Sequence, residues 1–222
     1  MLRTAIRRYP LLTAAALFGL NCLLFFYIQT YVHVPAHHIY SRVDELIPFN
    51  RYFVIPYFSW HAELFLIEVY YWLKKDMDGF EKMTLTLNAG YLLSSIIFLL
   101  FPSYINLRPA IVYGDDLCAH LVRFLYVIDD SRNVCPSLHV SFCVIMMLIY
   151  NRGEHNYVSR LAFNAWNVTI MMSTLFLRQH SVIDFMAGII FGLAVDGIVQ
   201  RALKKAPDLA LQFAVKNSDS RR

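Results

Sequence analysis

The sequence predicts an all-α fold, a bundle of six membrane-crossing helices with its polar residues gathered at one end. Two observations carry that prediction. Of the 222 residues, 58% are hydrophobic and only 16% charged, with a mean hydropathy of +0.45. A soluble domain of this length sits nearer half apolar and a quarter charged. The apolar residues also fall into runs close to the ~20 residues that cross a bilayer. Together they argue against a soluble enzyme, a disordered region or a nucleic-acid binder, because the net charge of +4 is spread thinly. Four cysteines without a CxxC pair exclude a zinc ribbon or a disulfide scaffold.

The first span covers residues 9–32 and carries no charged residue. Arg3, Arg7 and Arg8 before it look like the start of a signal peptide. Its apolar run is too long for a usual signal core, however, and no small-x-small cleavage site closes it, so it reads as a retained anchor. The second span, 52–73, carries His61, Glu63 and Glu68. The third (83–107) and fifth (161–177) are uncharged. The fourth (133–151) carries His139, and the sixth (180–203) carries Asp184, Asp196 and Arg201. In lipid each backbone must satisfy its own hydrogen bonds, so each run is predicted helical. Residues 1–206 form one membrane domain without repeats, and 207–222 read as a polar, frayed tail.

Six spans put both termini on one side. Fourteen of the 20 Lys and Arg residues fall on the side of the termini and the even-numbered loops. By the positive-inside rule both termini are cytoplasmic, in what reads as a plasma (inner) membrane. The odd-numbered loops then face outward.

Polar residues collect at the outward ends of the spans, where they are costly enough to need a reason. Asn106-Leu107-Arg108-Pro109 follows the third span, and Asn133-Val134-Cys135-Pro136-Ser137-Leu138-His139 opens the fourth. Between the fifth and sixth run Ser173 to His180 and then Asp184. His180 and Asp184, four apart at a helix start, share a face. A carboxylate there holds one imidazole nitrogen as a donor and leaves the other as base or nucleophile. The pair alone also reads as a local ion pair. His139 is a second imidazole, suited to protonating a leaving oxygen. Arg108 and Arg178 are forked donors for phosphate oxygens, and Ser137 after Pro136 opens a helix whose N–H groups hold anions. This set describes phosphoryl transfer through a covalent histidine, with no metal or cofactor required.

Arg108-Pro109, Pro136-Ser137-Leu138-His139 and His180-x-x-x-Asp184 resemble the three ordered signatures of the type 2 phosphatidic acid phosphatase superfamily. That superfamily includes lipid phosphate phosphatases and the sphingomyelin and inositol phosphorylceramide synthases. Ile47-Pro48-Phe49 and Ile55-Pro56-Tyr57 are also similar to a stretch of its small bacterial members. The resemblance implies His180 as the nucleophile and Asp184 as its orienting partner. It implies His139 as the acid toward the leaving oxygen, and Arg108 and Ser137 as phosphate ligands. Phe101 and Thr174 stand where the full signatures have Lys and Arg, and Arg178 offers a replacement charge. The implied activity is metal-independent hydrolysis of a lipid phosphomonoester or pyrophosphate. Two alternatives are transfer of a phosphorylated head group to a lipid alcohol, and a non-catalytic anion-binding or transport protein. The expected partners are a lipid phosphate and membrane lipids, with no nucleic acid.

Other polar residues read as structural. Glu63, Glu68 and Asp196 are expected to form hydrogen bonds between helices, with Glu63 and Glu68 alternatively lining a substrate cavity. His33, His37 and His38 read as an interfacial loop rather than a metal site. Asp115, Asp116, Asp129 and Asp130 read as a solvated loop with Arg123 and Arg132 as partners rather than a Mg²⁺ site. Cys118 and Cys135 are on the same side and either pair or stay free. Trp60 and Trp72 are expected in an aromatic belt at the span ends.

Overall fold

The computed structural model describes residues 2–31 and 36–219, with side chains to 205. The chain is all-helical: α1 (Leu2–Arg8), α2 (Pro10–Tyr31), α3 (Arg42–Leu46), α4 (Val54–Leu73), α5 (Met77–Leu100), α6 (Leu117–Ile128), α7 (Leu138–Arg152), α8 (Tyr157–Phe176) and α9 (Val182–Asp219). Two short strands, β1 (His37–His38) and β2 (Ser103–Tyr104), pair in parallel beside α3 and the end of α5. Three helical stretches are long and apolar enough to cross a membrane: Pro10–Tyr31, Met77–Leu100 and Val182–Lys205. The helices α4, α7 and α8 occupy the other three apolar runs. Here α7 has only 15 residues, while α4 and α8 carry the polar side chains that join helices.

At the centre stands α7. Val140, Phe142, Cys143, Ile145 and Met146 are all buried, covering every face of the helix. A helix apolar all round is one enclosed by others, and α5, α8 and α9 surround this one. Its tightest neighbour is α9. A Cβ on Gly188 would lie 2.9 Å from the Ser137 carbonyl, and one on Gly192 2.6 Å from that of Ser141. The two glycines, four apart, let the backbones approach as small-xxx-small pairs do in membranes. By contrast α2 exposes Leu12, Leu20, Leu23 and Phe26, an outer surface suited to lipid.

Polar pairs lock the apolar helices in register. Asn21 donates to Asn88 (2.6 Å), Thr84 to Glu68 (2.8 Å), and Asn167 to Glu63 (2.8 Å). Arg152 grips the buried Asp196 through two bonds of 2.7 and 2.6 Å. Glu63, Glu68 and Asp196 are thus held by neighbouring helices, as the sequence predicts. Side-chain caps set the helix starts: Asp76 for α5, Asp116 for α6, Ser137 for α7 and Asn156 for α8.

Several expectations need correction. The third helix stops at Leu100 instead of 107, because Pro102 drives Phe101 out of helical backbone (φ −137°, ψ 68°). The fourth begins at Leu138, after Pro136, instead of at 133. The outer loop is not simply solvated: α6 lies within it, capped by Asp116, with Ala119, Val122 and Leu125 buried. Arg132 and Arg123 do partner its acidic residues as expected, Asp130 at 2.6 Å and Asp115 at 4.0 Å, while Asp116 pairs with Arg51 (2.7 Å) and Asp129 with Tyr57 (2.8 Å). Past Ala206 the backbone stays helical to Asp219 where a frayed tail is expected, since 209–215 hold good helix formers. Trp60 is buried in the bundle, not in a belt, while Trp72 is exposed. His33 lies outside the described residues; His37 stacks on Phe101 and His38 on Tyr104. Among the described residues no group of three His, Cys, Asp or Glu could hold a metal, and Cys118 and Cys135 are free.

Candidate active site

The turn between α8 and α9 presents His180. Arg178 takes the left-handed conformation (φ 55°), and two bonds close the end of α8, from Arg178 N–H to the Leu175 carbonyl and from Gln179 N–H to that of Thr174. This is the Schellman arrangement, normally built on glycine. His180 N–H also donates to the Thr174 carbonyl (3.2 Å). Thr174 therefore anchors the loop through its backbone carbonyl.

A distant carboxylate fixes the start of α9. Asp44 Oδ1 accepts from Val182 N–H (2.8 Å), and Oδ2 accepts from the Ser181 hydroxyl (2.7 Å) and from Ser41 N–H (2.7 Å). The side chain is buried. Negative charge there meets the positive end of the helix. The sequence carries a signal for it, the capping box Ser41-x-x-Asp44 that opens α3, but nothing in that box points to α9.

One turn into α9, Asp184 Oδ2 lies 2.7 Å from His180 Nδ1, with both side chains buried. A carboxylate accepts only, so Nδ1 carries the proton and Nε2 keeps its lone pair. The Asp184 carbonyl accepts from Ser137 N–H (3.2 Å), tying α9 to the start of α7. Ser137 is fully buried, and its hydroxyl caps α7 by accepting from Val140 N–H (3.4 Å). That junction brings His139 alongside His180, their rings 6.1 Å apart.

His139 is held between two aromatic rings three apart on α4, Tyr57 at 4.2 Å and Trp60 at 4.0 Å. Its Nε2 is buried with no hydrogen-bond partner among the described residues. Such a polar atom is costly unless something else completes it. His61 adds a third imidazole, 5.8 Å from His139.

The two arginines stand one layer back. Arg108 lies over the Tyr126 ring (4.6 Å) and donates to the Tyr126 and Asp129 carbonyls (3.2 and 2.6 Å). It also donates to Gln179 Oε1 (2.5 Å). Arg178 donates to the Ile47 carbonyl (2.5 Å). Tyr126 closes this layer by donating to the Leu177 carbonyl (2.7 Å); burial pushes its phenol up to about 12, so it remains a donor. An arginine has no acceptor, so its bond to Oε1 sets the orientation of the Gln179 amide. Gln179 Nε2 is then a buried donor with no partner, next to His180 in the chain. Gln179 carries no signal in the sequence beyond its place between Arg178 and His180.

His139, His180 and Gln179 line a cavity of about 630 Å³. Arg108 and Arg178 are not among its lining residues. Phe18, Phe25 and Phe26 of α2 and Tyr91 of α5 form its apolar side. A smaller cavity of about 170 Å³ between α2, α4 and α5 shares Phe18, His61 and Tyr91 with it. The arrangement has an oriented imidazole, a second imidazole across from it and an unpaired amide donor, all opening on an apolar groove.

No protein-family profile matches the chain, and neither a curated protein nor a solved structure is significantly similar to it.

Proposed function

We propose that this protein is a membrane enzyme of the type 2 phosphatidic acid phosphatase kind, hydrolysing a lipid phosphomonoester or pyrophosphate through a phosphohistidine. One observation carries the reading: the buried His180–Asp184 pair faces His139, whose Nε2 has no partner among the described residues, at a cavity with an apolar wall of Phe18, Phe25, Phe26 and Tyr91 and with Asp129, Asp130 and Arg132 also on its lining. In this reading all six long helices cross the membrane, both termini are cytoplasmic, and the site faces outward in the plasma membrane.

The substrate's chain lies along the aromatic side while its phosphate enters between the imidazoles. His180 Nε2 attacks phosphorus and the bond to the lipid oxygen breaks. Protonated His139 gives that oxygen its proton, and neutral His139 then takes one from the incoming water. Water attack on the phosphohistidine breaks the P–N bond and releases phosphate. Asp184 keeps the Nδ1 proton in place and stabilises the positive ring. Gln179 Nε2 donates to a phosphate oxygen, with Arg108 holding the amide and adding charge behind it. With a phosphodiester donor His180 would instead carry the phosphorylated head group as the donor's lipid alcohol leaves, and attack by a second lipid alcohol, breaking the P–N bond, would make the enzyme a head-group transferase.

The test is phosphate release by the purified protein in EDTA, with phosphatidic acid, phosphatidylglycerol phosphate, a prenyl pyrophosphate and a sphingoid phosphate, beside His180→Ala. Release from one class that vanishes in the variant is the expected result. Silence across the panel from folded protein would exclude hydrolysis of these substrates, and a phosphohistidine trapped under those conditions would favour transfer.

A further inference from the structure

The end of the bundle opposite His180 holds a second polar cavity, of about 440 Å³. It is lined by residues of α1, α5, α7 and α9. The helix α7 runs from His139 at one end to Arg152 at the other, which puts this cavity roughly 20 Å from the imidazoles at ~1.5 Å per residue. It is the end that the basic residues of the sequence assign to the cytoplasm.

Five cations line this cavity, Arg3, Arg7, Lys82, Arg152 and Lys204, against two carboxylates, Asp78 and Glu81. Buried Glu81 accepts from Arg3 Nε and from Arg7 Nε (2.8 Å), and Asp78 accepts from Arg7 Nη2 (2.6 Å). Arg152 is neutralised from behind by Asp196. Lys82 and Lys204 have no carboxylate partner among the described residues, and the outer guanidinium nitrogens of Arg3 make no bond there. The positive charge is therefore in excess even after Asp196 is counted. A second, independent observation comes from α9: Gln200, also on the wall, has its Nε2 buried with no hydrogen-bond partner. A buried donor in a cationic cavity calls for an anionic acceptor.

We infer that this cavity binds a phosphate group, that of an anionic lipid of the facing leaflet or free phosphate. Its oxygens accept from Gln200 Nε2 and from the free nitrogens of Arg3, with Lys82 and Lys204 closing over it. The apolar stretch Val182–Lys205 ends one residue past Lys204, which puts the cavity at headgroup level when α9 crosses the bilayer. The site shares no residue with the His180 cavity, so it stands or falls separately from the proposed catalysis.

The experiment measures binding to the full-length protein in uncharged detergent by thermal shift. The probes are short-chain phosphatidylglycerol, short-chain phosphatidylcholine and inorganic phosphate. Each is titrated against wild type, Lys82→Gln/Lys204→Gln and Gln200→Leu. The lysine substitutions remove exposed groups that hold no carboxylate partner among the described residues, and Gln200→Leu replaces an amide nitrogen unpartnered among them, so each variant keeps the fold. Phosphatidylglycerol is expected to stabilise the wild type, and its affinity to fall roughly tenfold to thirtyfold in the double lysine variant, at about one kcal/mol per lysine converted to a fold-change. Gln200→Leu is expected to weaken it independently. If inorganic phosphate shows the same variant-sensitive effect, free phosphate is a ligand too; if only phosphatidylglycerol does, the ligand is the lipid. Equal binding of phosphatidylcholine, unchanged affinity in the lysine variant, or no binding to wild type would overturn the inference.

Discussion

Asp184 Oδ2, in the first turn of α9 and shut away from solvent, lies 2.7 Å from Nδ1 of His180 in the preceding loop, while its carbonyl ties that turn to Ser137 of α7. A single residue thus fixes both the tautomer of one imidazole and the junction that brings in the other. Asp184→Asn keeps the size and the backbone bond but no longer forces the proton onto Nδ1. It is expected to lower kcat by about 100-fold or more while leaving KM nearly unchanged, as steady-state kinetics on the most active lipid will show.

His139 serves the leaving oxygen in this account, so its importance depends on what leaves. With a lipid alkyl phosphate, His139→Ala is expected to cost roughly 10²–10⁴ in kcat. With an aryl phosphate, whose phenolate departs without a proton, the first-turnover release of phenolate should lose about tenfold or less, since only the later attack of water still needs His139. Equal losses with both substrates would assign His139 to binding or packing between Tyr57 and Trp60.

Gln179 and Arg108 act as one unit, because the arginine's bond to Oε1 sets the amide whose Nε2 is free. Gln179→Leu removes a donor to a charged oxygen and is expected to lower kcat/KM by about 10–100-fold, from ~1.5–3 kcal/mol per such bond. Combined with Arg108→Leu it should cost little more than the worse single change. A double-mutant cycle reads this coupling directly, and fully additive losses would separate the two residues.

The close contact of α9 with α7 makes one glycine intolerant and another indifferent. Gly192→Ala drives a Cβ to 2.6 Å from the Ser141 carbonyl and 3.1 Å from Val144, and is expected to cost about 1–3 kcal/mol. Gly197→Ala, with nothing within 4 Å, should be neutral or stabilising by up to about 1 kcal/mol. Thermal unfolding of the two variants side by side in detergent will show the difference.

What the sequence made legible is what periodicity and spacing encode. The six long helices follow from apolar runs, and the meeting of His139, Ser137, His180 and Asp184 follows from their positions at the same ends of α7 and α9. The structural use of Glu63, Glu68 and Asp196 was also readable, since a carboxylate among apolar helices must find a donor. Hidden from view were the contacts that cross long stretches of chain. Asp44 reaches the start of α9 from 138 residues away, and no local pattern links them. Trp60 looked like a belt residue because its place near a span end says nothing about the ring facing it. The loop holding α6 was masked by its four aspartates, whose charges hid the amphipathic stripe between them. Gly188-x-x-x-Gly192 carried the signal for the α7–α9 contact, which only the partner helix makes meaningful.

The central claim is that His180 carries the phosphoryl group, and trapping that group tests it most directly. Purified protein is mixed with the lipid phosphate, quenched in alkali within the first turnovers and digested for mass spectrometry. A phosphoryl group on the peptide containing His180, stable in base and lost in acid, is the predicted result. Phosphate release without any phosphorylated His180, or a His180→Ala protein that still turns over at the wild-type rate, would contradict the account.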